Sequence, residues 1–265
     1  MLVVIDTHVH LHHVFPVDVF FDHARINFNV AAGQHGGDGR TDILCLTDMQ
    51  GVNSVRNLCE HLIKAGAWNF KFTEDGHSIA ARHDDGYVIF LLPGRQIIST
   101  ENLELLALDA SIDLPDRTYP IDELISRVIA AGGVPVAPWG FGKWSGARGK
   151  VMSEMVHRRS DFFVAHNGNR WWWAPEHRIF SRARRRGVSI LSGSDPLPFA
   201  SAAGRAGSSG IIGELTSPAS SPRDAFRRLI KQGGAWRCYG GGVSTLTFIS
   251  DQLRMQIRKR HGRSS

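Results

Sequence analysis

A chain of 265 residues, 42% hydrophobic and 21% charged, can bury a full core and is neither disordered nor collagen-like in composition. Its 31 Lys and Arg against 25 Asp and Glu leave a formal charge of +6, an excess too small to require a polyanionic partner. The three cysteines, Cys45, Cys59 and Cys238, form no CxxC pair, which argues against a disulfide framework or a Cys-based zinc site and points to a reducing, cytoplasmic compartment.

In chain order, the first apolar run is residues 2–5. It has no basic start and ends in Asp6, so it reads as a strand rather than a signal peptide. A second strand is expected at 43–46, then a helix over 52–65. Residues 68–72, 78–82 and 87–92 read as three antiparallel strands, with Asp75-Gly76 and Asp85-Gly86 as hairpin turns. Helices at 121–131, 151–158 and 176–186 alternate with strands at 134–137, 162–165 and 188–191. The Ala, Gly and Ser-rich stretch 200–221 reads as a long loop. Ser221 caps a helix that Pro222 opens and that runs to Gln232. A last helix starts at about residue 245. The β–α alternation predicts parallel strands with crossover helices, in one domain over 1–265. No apolar run approaches the roughly 20 residues that span a bilayer, so no membrane partner is expected.

The chemistry concentrates at strand ends. Asp6-Thr7-His8-Val9-His10 follows the first strand directly. Residues two apart in extended chain share a face, so Asp6, His8 and His10 are expected to point one way. Two imidazoles on one edge suit a divalent metal. His12 and His13 continue the run as ligands, supporting groups or bystanders. Asp48, His166 with Asn167, and Asp195 end later strands. In a barrel these ends converge, and His8, His10, His166 and Asp195 would then form an N/O site for zinc, manganese or iron. An Asp before a helix also serves as a cap. The basic clusters Arg182, Arg184–Arg186 and Arg258–Arg260 fit helix ends, with phosphate or nucleic acid as the other reading. Trp139, Trp144 and Trp171–Trp173 follow two strands, where they either stack on a planar ligand or close the barrel mouth.

These motifs resemble, in order, those of the PHP family, the polymerase and histidinol phosphatase-like metal-dependent phosphoesterases. Asp6-Thr7-His8-Val9-His10 looks like its opening D-x-H-x-H. Leu46-Thr47-Asp48 looks like T-D-H, Pro93-Gly94-Arg95-Gln96-Ile97 like P-G-x-E-I, and Leu105–Leu108 like the tail of H-L-L-G-L. Gly132–Ala137 resembles the approach to A-H-P, and Gly193-Ser194-Asp195 the start of G-S-D-A-H. The resemblance implies an α/β fold, a distorted TIM-like (β/α)7 barrel, holding up to three metals for phosphoester hydrolysis. The amidohydrolase superfamily, which shares the HxH and the late Asp, is the neighbouring possibility.

Several positions depart from the pattern. Met49, Pro138 and Leu197 stand where the family has His. Gln96 replaces a bridging Glu, and Glu104 replaces a His. One divalent metal per chain is therefore expected, held by His8, His10 and Asp195 with His166 or Glu104. Asp195 or Asp48 would accept a proton. Arg95, Lys143 or Arg170 would neutralise phosphate. Trp139, Trp144, Asn167 and Arg170 are the candidate contacts to a small-molecule substrate. The competing expectation is a barrel of the same kind that has lost catalysis and binds a ligand or partner.

Overall fold

The computed structural model describes residues 1–33, 39–60, 65–110, 112, 114–115 and 117–261, with side chains to 258. The elements run β1 (Leu2–Val9), α1 (Val17–Ala32), β2 (Arg40–Asp48), α2 (Ser54–Cys59), β3 (Trp68–Phe72), β4 (Ile79–His83), β5 (Val88–Ile98) and β6 (Glu104–Leu108). There follow α3 (Ile121–Ala130), β7 (Val134–Pro138), α4 (Gly146–Arg158), β8 (Phe163–Asn167), α5 (Arg178–Arg185) and β9 (Ile190–Gly193). The chain ends with β10 (Gly210–Glu214), α6 (Pro222–Lys231), β11 (Trp236–Tyr239) and α7 (Thr245–His261).

Seven strands form the barrel wall in the order β1-β2-β5-β6-β7-β8-β9. The wall nearly closes where the end of β9 meets β1. Thr7 Oγ1 donates to the Ser192 carbonyl at 2.9 Å, and the Asp195 N–H donates to the His8 carbonyl at 2.8 Å. A Cβ on Gly193 would lie 2.4 Å from His8 Cβ, so only glycine lets the two backbones approach this closely. This is the distorted TIM-like barrel that the motifs imply. The expected hairpins are present: β3 pairs β4, and β4 pairs β5, all antiparallel.

Three features differ from the expected alternation. β6 runs antiparallel to both β5 and β7, because Asn102, in the left-handed region at φ 60°, turns the chain straight back after β5 without a crossover helix. Residues 210–214, expected as loop, form a buried strand antiparallel to the first half of β1. Gly210 suits that strand because a Cβ there would lie 2.1 Å from the Ile5 carbonyl oxygen of β1. The helix α1 was not expected. Phe20, Ala24 and Phe28, four residues apart on one face, are all buried against the outside of the sheet. The helix expected over 52–65 is described as far as Cys59; its predicted end at 61–64 lies outside the described residues. Ser221 caps α6 as expected, its side chain accepting from the Asp224 N–H.

Alternate residues of each strand divide between two environments. Val3, Ile5, Cys45, Leu106, Ala165 and Leu191 fill the barrel interior, and Phe226 and Leu229 of α6 complete that core. Val4, Leu44 and Leu46 face the layer that includes α1. Leu105, Ala137 and Val164 face a second outer layer with α3, α4 and α5. Each fully buried Leu, Ile or Phe contributes about 2 kcal/mol. Among the described residues no helix is long and apolar enough to cross a membrane.

Candidate metal centre

Six of the seven wall strands are parallel, so their carboxyl ends open at one end of the barrel. His8 and His10 reach it through an irregularity in β1. Asp6 pairs Leu44 but Val9 pairs Leu46, so three steps along β1 match two along β2. The extra residue changes the facing of everything after it. Ile5 lies in the interior and Val9 in the outer layer, which leaves His8 and His10 directed inward.

Asp6 does not join them, contrary to the simple alternation. Its Oδ1 accepts from the His8 N–H at 3.2 Å and the Ser194 N–H at 2.9 Å. Its Oδ2 accepts from Ser194 Oγ at 2.5 Å and the Gly207 N–H at 2.8 Å. Burial pushes this carboxyl up to about 7, against the four donors that favour its ionised form. Asp6 is the tie that holds the β9 turn against β1.

The ligand atoms themselves converge. His8 Nε2 lies 3.1 Å from His10 Nε2 and 3.1 Å from Gln96 Oε1. Asp195 Oδ1 lies 3.6 Å from His8 Nε2 and 3.5 Å from His10 Nε2. Among the described residues, His8, His10 and Asp195 are the group of His, Cys, Asp and Glu whose donor atoms lie together in this way. Tetrahedral zinc with bonds of about 2.0–2.2 Å requires ligand atoms about 3.4 Å apart. The four separations bracket that value, so the donor set fits a single divalent ion. Two imidazoles, one carboxylate and one amide oxygen are also a borderline donor set suited to zinc, manganese or iron.

The electrostatics agree with that fit. Burial, with His8 beside it, holds the His10 pKa below its usual value, which keeps a lone pair free. Burial opposes ionisation of Asp195, but His8, His10, Lys143 and Asn167 outweigh it and hold the carboxyl below the usual carboxylate range. Asp195 sits at φ 46°, a left-handed conformation that Asp tolerates better than most residues. Its carbonyl accepts from Asn169 Nδ2 at 2.5 Å, which helps to fix that turn.

The remaining candidates separate. His166 does not reach the cluster. Ala165 faces the interior, so its neighbour His166 faces out, where it stacks on Phe180 at 4.1 Å and lies 3.2 Å from Glu176. The next residue, Asn167, faces in again and donates from Nδ2 to Asp195 Oδ2 at 2.5 Å. Glu104, at the start of the reversed β6, reaches the same end of the barrel but pairs with Lys143. Asp48 accepts from the Ser54 N–H at 2.7 Å and from Ser54 Oγ at 2.6 Å. Both of its oxygens therefore serve Ser54 at the start of α2, beside the cap residue Asn53, and neither is left as a free base. Arg95 stands opposite Asp48 across β2 and β5 and reaches the Val52 carbonyl at 3.4 Å.

Trp144 is buried in the outer layer against Phe180 and cannot meet a substrate. Trp139 is half-buried against the same layer. Trp171 packs on Phe248 of α7 at 4.4 Å, while Trp172 and Trp173 are exposed. Arg170 lies close enough to His166 and Glu176 to influence both. Gln96 is the site residue missed as a ligand, because the resemblance marked it as a lost carboxylate rather than as an oxygen donor.

No family model matches the chain, and no curated protein matches it in sequence. Among solved structures it resembles PsfC from Pseudomonas syringae PB-5123, at 15% identity and a TM-score of 0.60, over 96% of this chain and 98% of that one. It also resembles the lesion-specific endonuclease PfuEndoQ from Pyrococcus furiosus, at 13% identity and a TM-score of 0.53. There the match covers 90% of this chain but 58% of the endonuclease. A third similar structure is a two-domain protein from Bacteroides vulgatus containing a predicted PHP-like metal-dependent phosphoesterase, at 13% identity and a TM-score of 0.49, over 95% of this chain and 70% of that one. At these identities the likeness is one of fold.

Proposed function

We propose that the protein is a metal-dependent hydrolase, phosphoesterase-like, working with one divalent ion held by His8, His10, Asp195 and the Gln96 amide. The observation that carries this is the convergence of His8, His10 and Asp195, whose donor atoms lie 3.1–3.6 Å from one another at the open end of the barrel, with Gln96 Oε1 3.1 Å from His8 Nε2. A divalent metal bound there supplies Lewis acidity, activating water and polarising the scissile ester.

The chain's own residues account for the rest. Asn167 fixes Asp195 through Oδ2, so Oδ1 stays turned towards the two imidazoles. One carboxylate against a divalent ion leaves the centre with a net positive charge, which favours an anionic substrate over a neutral amide. Lys143, paired with Glu104 and close enough to stabilise the Asp195 carboxylate, offers its remaining N–H donors to phosphate oxygens. The substrate is a small phosphorylated molecule, and the compartment is the cytoplasm.

Elemental analysis of protein purified without chelator tests this. About one equivalent of zinc, manganese or iron is expected, and none in His8→Ala. Wild-type protein that is empty and refuses added metal would overturn the proposal in favour of a non-catalytic binding barrel.

A further inference from the structure

A cavity of about 650 Å³ opens beside the metal centre and shares His10 with it. That volume suits a small organic molecule. Its walls are mainly apolar, with Leu11, Phe15, Val17, Met49 and Val52. Asp48 also lines it, but both carboxylate oxygens are taken by Ser54. Among the described residues, the Lys or Arg in the lining is Arg258, which lies on α7. Its Nη1 donates to the Pro198 carbonyl at 2.9 Å, which places the guanidinium at the cavity edge. A guanidinium has five N–H donors in a planar fork, so one carbonyl contact leaves a pair suited to an anion.

We propose that this cavity holds the body of the substrate, and that Arg258 reads an anionic substituent on that body. The ligand class is an amphipathic organic anion: an apolar or aromatic skeleton bearing a carboxylate, sulfonate or phosphate. Apolar walls favour the skeleton, while the cation rejects neutral analogues. In position, the reacting ester lies at the His10 end and the second anionic group at Arg258. This arrangement rests on the hydrolase reading above; the binding preference of the cavity does not.

The test uses two fluorescent probes of the same shape, anilinonaphthalene sulfonate and its neutral counterpart N-phenylnaphthylamine, titrated into the full-length protein. The sulfonate is expected to bind one saturable site more tightly than the neutral probe. Arg258→Gln should weaken the sulfonate tenfold or more, the effect of losing a charge-assisted hydrogen bond, and leave the neutral probe unchanged. Met49→Trp, which fills the cavity from an exposed wall position, should weaken both. Equal loss of both probes in Arg258→Gln, or no loss of the sulfonate, would overturn the proposal. So would Met49→Trp that leaves sulfonate binding intact. Metal content measured on the same samples separates the two readings. An empty wild-type centre with Arg258-dependent probe binding would defeat the hydrolase and leave the cavity assignment standing.

Discussion

Asn167 holds one oxygen of Asp195 at 2.5 Å, and the other oxygen lies within 3.6 Å of both His8 and His10. The amide thereby sets the rotation of the carboxylate. Asn167→Ala should lower metal affinity by about 10–100-fold, the range for losing a group that orients a ligand. Calorimetric titration with zinc, alongside circular dichroism to confirm the fold, checks this. Unchanged affinity would remove Asn167 from the centre.

Metal should stabilise the protein through mass action. At a free concentration of 100 Kd, one bound ion contributes about 2.7 kcal/mol. For a chain of this size that raises Tm by about 5–10 °C. His8→Ala should show no such rise. His8 Nδ1 is buried without a hydrogen-bond partner, so no acceptor orients the ring from behind. The metal should therefore be removed readily by a chelator, and thermal scans before and after chelation measure the difference.

Gly193→Ala should destabilise the barrel seam. Its Cβ would lie 2.4 Å from His8 Cβ and 2.6 Å from His8 N, and backbone cannot yield as a side-chain tip does. A loss of about 3 kcal/mol is expected, read from urea unfolding. A variant with wild-type stability would mean that β9 and β1 are not in close contact.

His166 should make the protein less stable in mild acid. Burial lowers its pKa to about 4, against the pull of Glu176; Arg170 and Arg184 add to the lowering. The unfolded chain takes up a proton near pH 6.5 that the folded chain refuses until about pH 4. Stability is therefore complete above pH 6.5 and falls as the pH drops through that window, by about 2 kcal/mol at pH 5. His166→Phe keeps the packing on Phe180 and should flatten the difference in urea stability between pH 7 and pH 5. An unchanged slope would assign the acid sensitivity elsewhere.

What the sequence determined by itself was local. Short apolar runs ending in polar residues marked β1, β2, β7, β8 and β9. The Asp-Gly pairs marked the hairpin excursion, and the spacing of His8 and His10 with the late Asp195 marked the site. Strict alternation along β8 also contained the choice of Asn167 over His166, since Ala165 and Asn167 share a face. The inward direction of His8 and His10 together with Ile5 was not legible, because it depends on a register shift against β2. Nor was the commitment of Asp48 to Ser54, the pairing of Glu104 with Lys143, or the burial of Trp144. Each of these turns on which residue stands opposite, and partners 188 residues apart, such as Asp6 and Ser194, are chosen only when the sheet curls and β9 meets β1. Pattern along the chain decides which residues are available for chemistry; closure of the barrel decides which of their atoms meet.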